Sequence, residues 1–417
     1  MSTTIDNGMH RPGDAPDHVP SDLCFDYDFA EGPEIYAFPP VSVEGFRDRT
    51  PVFYSTAYGG FWVLTAYGDI RDALQDHDLF LPEINIPRYS DHKFIPLHVN
   101  PPKHSDYRRI QAPIFAPQRI GMLEDRVRTI MRETLEEIAT RDSFEMMRDF
   151  ALEAPSAMFC AMLDLPHDHY PLFRQLADDL FYGAQKALVA EGPTAAREVR
   201  ETALKGITDI LVEIIDARRD HPGDDVVGAL INARIDGEPL TAEELLNMTT
   251  FLFFAGTDST ANLVTFAIAF LAAHPDAKAA FLARMDDPAF VRNASEELIR
   301  LHGFHHLARR VARDVTFAGV AMREGDIVIL PTGGANRDGA KFPDPHAHDF
   351  DRENARTHLT FGAGIHRCSG SHLATLQLRV ALEEIHRIIP DYRLIEPVTY
   401  ASGGAKAAPA ALHLATR

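Results

Sequence analysis

The chain has 417 residues, 45% of them apolar, and a formal net charge of −20. That balance suits a folded, water-facing protein and argues against a nucleic-acid partner, which selects basic surfaces. Three scattered cysteines, Cys24, Cys160 and Cys368, make no disulfide framework and point to a reducing compartment, the cytoplasm.

Residues 1–20 are polar and proline-bearing and read as a disordered arm. Met1–Leu23 holds no apolar h-region, so no signal peptide is expected. Residues 21–417 show no linker, repeat or low-complexity run and read as one domain, expected to act as a monomer. Residues 51–66 pattern as a hairpin, with β-rich runs on either side of Tyr58-Gly59-Gly60. Gly68–His77 is helical in period. From Asp78 to Pro102 no period survives and five prolines occur, which predicts a long functional loop. Helical periodicity then covers 103–112, 118–140, 146–164, 169–183, 192–219 and 241–274. Gly237-Glu238-Pro239 breaks the chain before the last of these, and Thr241 with Glu244 spells a capping box. The apolar run Leu245–Ala273 is long enough to cross a membrane, but Gly256-Thr257-Asp258-Ser259-Thr260 interrupts its centre, so it reads as a buried helix. A β-rich stretch follows at 310–331, then a proline-bearing meander around Phe342–Pro345. A glycine-rich turn leads into a last strong helix, Ser371–Ile388.

That turn, Phe361-Gly-Ala-Gly-Ile-His-Arg-Cys-Ser-Gly370, carries the most chemistry. Cys368 sits just before a helix start, where backbone N–H groups and the positive end of the helix dipole favour a thiolate. Glycines at 362, 364 and 370 let the backbone approach a large flat partner. Two blander readings stand beside this one. A lone cysteine is most often a small buried hydrophobe. Zinc is another option, since His366 and His372 are near, although no second cysteine completes the usual paired spacing. The second cluster is Ala255-Gly-Thr-Asp-Ser-Thr260. An acid and hydroxyls in mid-helix are costly unless used or paired. Hydroxyls there bond back to carbonyls one turn earlier, which predicts a local opening of the helix able to hold water. The alternative is a polar interruption between two helices.

The ten residues of the cysteine turn fit F-x-x-G-x-H-x-C-x-G, and here the chain resembles the cytochrome P450 superfamily. The resemblance implies a mainly α protein with small β-sheets, the triangular single-domain P450 fold, holding haem b with Cys368 as thiolate ligand to the iron. Phe361, Gly362 and His366 of the same turn would border the haem. Asp258-Ser259 resembles the acid–alcohol pair of the family's A/G-G-x-D/E-T motif, which delivers protons during oxygen activation. Serine replaces the usual threonine and loses the β-branch that fixes χ1. Glu297-Leu-Ile-Arg300 resembles the structural E-x-x-R pair, which bonds the meander. Asn100-Pro-Pro-Lys-His-Ser-Asp-Tyr-Arg108 resembles D-P-P-x-H-x-x-x-R, with Asn for Asp. It nominates His104 and Arg108 for the haem propionates, alongside Arg309 and His366. Arginine suits carboxylates through paired bonds; each of these residues alone reads more readily as a solvated surface group, and it is their combination at the family's spacing that favours the ligand reading.

The likeness runs over about residues 20–415 and is strongest to the soluble camphor-hydroxylase branch. His92 falls where that branch has a ketone-binding tyrosine; the plainer reading is a solvent-facing loop histidine beside Asp91 and Lys93. Phe251, Phe254 and Ala255 lie toward the haem face of the long helix, with His305 and Leu307 on the opposite wall. These imply a small apolar substrate, a monoterpenoid or norisoprenoid ketone. No nicotinamide or flavin motif is visible, so the resemblance implies a [2Fe–2S] ferredoxin and its NADH-dependent reductase as electron source. Arg108, Arg109 and Arg367 would serve that acidic partner. An H2O2-dependent peroxygenase and a non-catalytic haem or ligand-binding protein are the rivals on the same fold.

Overall fold

The structure, a computed structural model, describes residues 15–25, 27–28, 43–83, 93–165, 170–184, 187, 190–402 and 407–417. It is mainly helical with small sheets. Its backbone contacts group into two compact units. The first holds residues 1–93, 286–368 and 399–410, and the second holds 94–285, 369–398 and 411–417.

The first unit is built on a five-stranded sheet in the order Val52–Ser55, Phe61–Leu64, Ile327–Pro331, His306–Val311, Phe80–Glu83. The hairpin forms where the sequence predicts it, with Val52 opposite Leu64 and Ser55 opposite Phe61. Tyr58, Gly59 and Gly60 turn the chain with positive φ. A side chain at Gly60 would strike Tyr54, so the tight turn requires glycine there. Side chains alternate across the sheet. Val52, Tyr54, Trp62, Leu64, Val328 and Leu330 join one apolar cluster, and Phe53, Phe61, Val63 and Ile329 join another. Both faces are therefore buried, which explains why these strands read as continuous apolar runs.

Two predicted spans differ from the structure. The first four-residue stretch after Leu79 is not loop: Phe80–Glu83 pairs with Ala308–Val311 as the edge strand of the sheet. Pro82 had argued against a strand, and an edge position is where proline is tolerated. The single helix predicted over 118–140 is two helices, Pro117–Gly121 and Glu124–Ile138. They part at Met122, whose amide folds back onto the carbonyls of Gln118 and Arg119.

Helix Pro288–Leu301 is capped by Asp287, whose Oδ1 accepts from the amides of Ala289 (2.8 Å) and Phe290 (3.3 Å). Near its end Glu297 and Arg300, both fully buried, form a two-pronged pair: Arg300 Nε to Glu297 Oε2 and Nη2 to Oε1, each 2.7 Å. The rest of the Arg300 fork donates to carbonyls of Asn336 and Pro345 (2.8 Å each) and Ala347 (3.3 Å). Arg352 adds Nε to Glu297 Oε1 at 3.0 Å and binds the Pro343 carbonyl at 2.7 Å. The E-x-x-R pair thus holds the meander 342–352, the structural role read from the sequence.

The second unit is a helical assembly around Ala242–Ala273, with Lys103–Gln111, Glu124–Ile138, Glu153–Met162, Pro193–Arg218 and Ser371–Ile388. The long helix starts at the predicted capping box: Thr241 Oγ1 accepts the Glu244 amide (3.2 Å), and Glu244 Oε2 accepts the Thr241 amide (2.8 Å). Among the described residues it is the one helix long and apolar enough to cross a membrane, but two-thirds of its most apolar stretch is buried inside the protein.

Removing one partner of a buried ion pair typically costs about 3–5 kcal/mol. Arg300→Leu strands Glu297 beside a single arginine, releases the carbonyls of Asn336 and Pro345, and leaves that of Ala347 to Arg352 alone. Thermal unfolding should show a large fall in Tm or no folded protein. Arg300→Lys, which cannot reproduce the fork, should recover only part of the loss. A Tm equal to the parent's in both variants would refute the clamp.

Candidate active site

The cysteine turn belongs to the first unit and is held from behind by the E-x-x-R helix. Asn336 is the link. Its Nδ2 donates to the Arg300 carbonyl (3.1 Å) and to Thr360 Oγ1 (2.8 Å), while its Oδ1 accepts the Leu359 amide (2.6 Å). Thr360 Oγ1 donates to the Ile299 carbonyl (2.9 Å). The chain entering the turn is thus bolted to the last residues of that helix. Within the turn the Cys368 amide donates to the Phe361 carbonyl (2.9 Å) and the Arg367 amide to the Gly364 carbonyl (3.1 Å). Gly362 and Gly364 have φ of 69° and 68°. A Cβ at Gly364 would lie 2.5 Å from the Leu74 carbonyl oxygen. The closed turn presents Cys368 at the surface of its unit, exposed. The reading of Cys368 as a small buried hydrophobe does not hold. Among the described residues no cluster of three His, Cys, Asp or Glu forms a metal cage, which also disfavours zinc on His366, Cys368 and His372.

The strand beside the turn carries three further candidates on one face. His305, Leu307 and Arg309 alternate with the opposite face in the period-two pattern of a strand. Leu307 lies against the turn, 3.8 Å from where a Cβ on Gly362 would stand. Arg309 is buried, and among the described residues its guanidinium donates only to the Ala308 carbonyl at 2.8 Å. Burial pushes its pKa down to about 10, with no carboxylate to offset it. A buried cation of this kind has the chemistry to take an anionic group such as a propionate. His305 is half-buried, yet it is so enclosed that burial pushes its pKa down to about 4, and its Nδ1 has no hydrogen-bond partner among the described residues. The ring is therefore neutral at ordinary pH. His306 is likewise held near 4 by burial and by the neighbouring His305. His366 is half-buried in the turn.

In the second unit, helix Lys103–Gln111 carries His104 and Arg108 one turn apart on one face, His104 buried. Arg108 Nη1 donates to Ser369 Oγ, which in turn donates to Gln111 Oε1 (3.1 Å). The residue after Cys368 is therefore braced against the helix that carries Arg108.

The long helix passes through Ala255–Thr260 without a break. The predicted local opening is absent. The expected back-bond does form, from Ser259 Oγ to the Ala255 carbonyl at 2.5 Å, but one such bond leaves the helix closed. The alternative of two helices around a polar gap falls with it. Asp258 is buried at 6% exposure, and Asn262 Nδ2 grips it twice, at the carbonyl (2.9 Å) and at Oδ1 (3.1 Å). Asn262 was not read from the sequence, although its i+4 spacing from Asp258 is the signal that would find it. Ala255 and Gly256 are exposed in mid-helix, and a Cβ on Gly256 would meet nothing within 4 Å. Such a bare backbone step leaves room for a flat group. Phe251 and Phe254, half-buried, share a stripe with Asp258. His92 lies outside the described residues.

In the first unit, an exposed thiol on a glycine turn and a buried arginine with no carboxylate partner among the described residues suit an anionic, iron-bearing group; the second unit, by itself, offers an exposed backbone step on its long helix. Comparison with known proteins agrees. The cytochrome P450 family matches residues 59–388. The chain is 30% identical over 406 residues to pentalenic acid synthase of Streptomyces avermitilis, covering 93% of this chain and 94% of that one. It is 33% identical over 350 residues to mycinamicin IV hydroxylase/epoxidase of Micromonospora griseorubida, covering 81% and 84%. Among solved structures it is similar to cytochrome P450 CYP101C1, with a TM-score of 0.87, 28% identity and coverage of 97% and 100%. It is similar also to CYP101J2, at 0.83, 28%, 96% and 99%. The chain belongs to the cytochrome P450 family: it is a bacterial-type, haem b-dependent monooxygenase that uses O2 and a redox partner.

Proposed function

We propose that this monooxygenase hydroxylates a small apolar terpenoid, a monoterpenoid or norisoprenoid ketone of the ionone kind. Its electrons come from a [2Fe–2S] ferredoxin supplied by an NADH-dependent reductase. It works as a cytoplasmic monomer whose residues 21–417 act as one domain. The observation that carries the reading is the acid–hydroxyl pair Asp258–Ser259 at an open step of a helix that also bears two half-exposed phenylalanines.

A haem held by this chain would supply the oxygen-activating chemistry of a monooxygenase. Cys368 would hold its iron as thiolate, with Phe361 and Gly362 bordering it in the same turn. Arg309 would offset a propionate, and His104, Arg108 and His366 are the further groups for anchoring it. Asp258 and Ser259 move protons. Asn262 fixes the acid's Oδ1, so the carboxyl keeps one orientation. The Ser259 hydroxyl hydrogen is committed to the Ala255 carbonyl, so delivery needs rotation about χ1. Serine turns more easily than threonine because it lacks the β-methyl. Phe251, Phe254, Ala255 and Leu307 supply apolar contact. His305 offers a neutral imidazole N–H to the substrate oxygen, and His92 keeps the substrate-binding role that the resemblance implies. Arg109, three-quarters exposed, and the exposed Arg367 are the groups for an acidic ferredoxin.

Cys368→Ala should abolish the red-shifted Soret band of the reduced, carbon monoxide-bound protein; an unchanged band would move the iron ligand elsewhere. Asp258→Asn should slow ferredoxin-driven turnover by about 10²-fold, the scale of general acid catalysis, with substrate spin-state shifts intact. Equal turnover would remove the acid from the relay, and brisk H2O2-driven turnover without ferredoxin would favour the peroxygenase. His305→Phe and His92→Phe, made singly, should weaken ketones against matching hydrocarbons by up to about tenfold, the worth of one hydrogen bond. Equal loss for both ligand types would put that histidine out of contact with the oxygen.

A further inference from the structure

We propose that Asn247 is a positioning residue for substrate recognition: it docks the chain at Phe94-Ile95 onto the long helix, seating Phe94 as a rigid aromatic wall that selects ring-shaped substrates. The proposal rests on the reading that the Phe251–Phe254–Asp258 stripe faces the substrate.

Asn247 begins that stripe. Residues 247, 251, 254 and 258 fall on one helix face at spacings of four, three and four. Asn247 Oδ1 accepts the Ile95 amide at 2.8 Å. The preceding amide, Phe94 N–H, donates to His98 Nδ1 at 3.0 Å. Two consecutive backbone donors are thus fixed by side-chain acceptors, one of them on the helix itself. The Phe94 ring that results stands 5.4 Å from both Phe251 and Phe254, tilted by 34° and 44°. Phe254 in turn meets the buried Phe253 edge-on at 6.1 Å, and Phe253 packs on Phe159 at 5.0 Å. The wall is tied to the core of its unit, while Phe94, Phe251 and Phe254 each keep part of their surface open. Rings at these separations attract one another beyond simple burial and resist reorientation. A flat apolar ring gains a full face against such a wall, whereas a flexible chain gains less for the same loss of freedom. Without its acceptor the Ile95 amide must find another partner, and Phe94 loses its register over the helix.

The test uses 4-phenylimidazole, whose nitrogen ligates the iron and whose phenyl ring reports the wall, titrated into ferric holoprotein by the Soret shift. Asn247→Leu should weaken binding about tenfold, a change of 1.4 kcal/mol. Asn247→Asp, which keeps an acceptor oxygen, should restore most of it. Phe94→Ala should weaken binding to a similar degree, and the double variant should be no weaker than Phe94→Ala alone, since both act through one ring. Amide hydrogen exchange over residues 94–98 should quicken in Asn247→Leu with Tm and the carbon monoxide spectrum unchanged. Additive losses, or parent-like affinity in Asn247→Leu, would overturn the proposal. If Asn247→Leu yields no haem protein, Asn247→Ala enters the same cycle with the same two outcomes. Failure of every terpenoid ketone to bind the parent protein would sink the substrate reading alone, because 4-phenylimidazole does not depend on it.

Discussion

A buried carboxylate shared by two arginines is the interaction on which the rest of the thiolate side depends. Taking Glu297 and Arg300 out of water is expensive, and an apolar pair of the same size would often be as stable. What an apolar pair cannot do is hold backbone carbonyls. The Arg300 fork and Arg352 together bind carbonyls of Asn336, Pro343, Pro345 and Ala347, all in chain with no regular secondary structure to satisfy them. Asn336 relays that order onward to Leu359 and Thr360, and so to the turn that ends at Cys368. Within the turn Gly362 and Gly364 take positive φ, which glycine adopts without strain, and the ionic cluster fixes the chain that leads into them.

The long helix of the other unit meets an opposite demand. It is apolar along almost its whole length, yet must carry an acid near its middle. Asn262 eases the conflict locally, since a donor one turn on bonds both the Asp258 carbonyl and its Oδ1. The acid is then held in one orientation. The neighbouring hydroxyl sits in a simple intrahelical bond that one χ1 rotation breaks. The two consecutive residues are thus held differently, the acid by a side chain one turn on and the hydroxyl by a single backbone carbonyl.

Features set by short spacings were legible in the sequence: the hairpin at Tyr58-Gly59-Gly60, the capping box at Thr241, the Glu297–Arg300 pair and the cysteine turn. Each depends on residues within about a turn of one another, where period and steric rules act directly. The misreadings have the same cause in reverse. Phe80–Glu83 becomes a strand only because His306–Val311 lies beside it, more than two hundred residues on in sequence. The helix at Ala255–Thr260 stays closed because its flanks are packed, which outweighs the local pull of one serine. Asn336 to Leu359, Arg108 to Ser369 and Asn247 to Ile95 join residues far apart in sequence, and no local pattern marks them. The long-range bracing was therefore hidden, while the local motifs were plain.

Charge placement connects these observations. The chain carries a net −20, and most of its surface arginines sit beside a carboxylate, as Arg109 does with Asp106. Arg309 is different: burial depresses its pKa, and among the described residues no carboxylate answers it. On the same strand face, His305 is enclosed enough to stay neutral well below pH 7. If His305 were charged, it would add a second cation to the one that a haem carboxylate is left to balance. The imidazole is therefore uncharged near neutral pH, while the guanidinium keeps its charge, on either side of the apolar Leu307. Enclosure raises the cost of charge at both positions, and only the group with the lower intrinsic pKa gives its charge up.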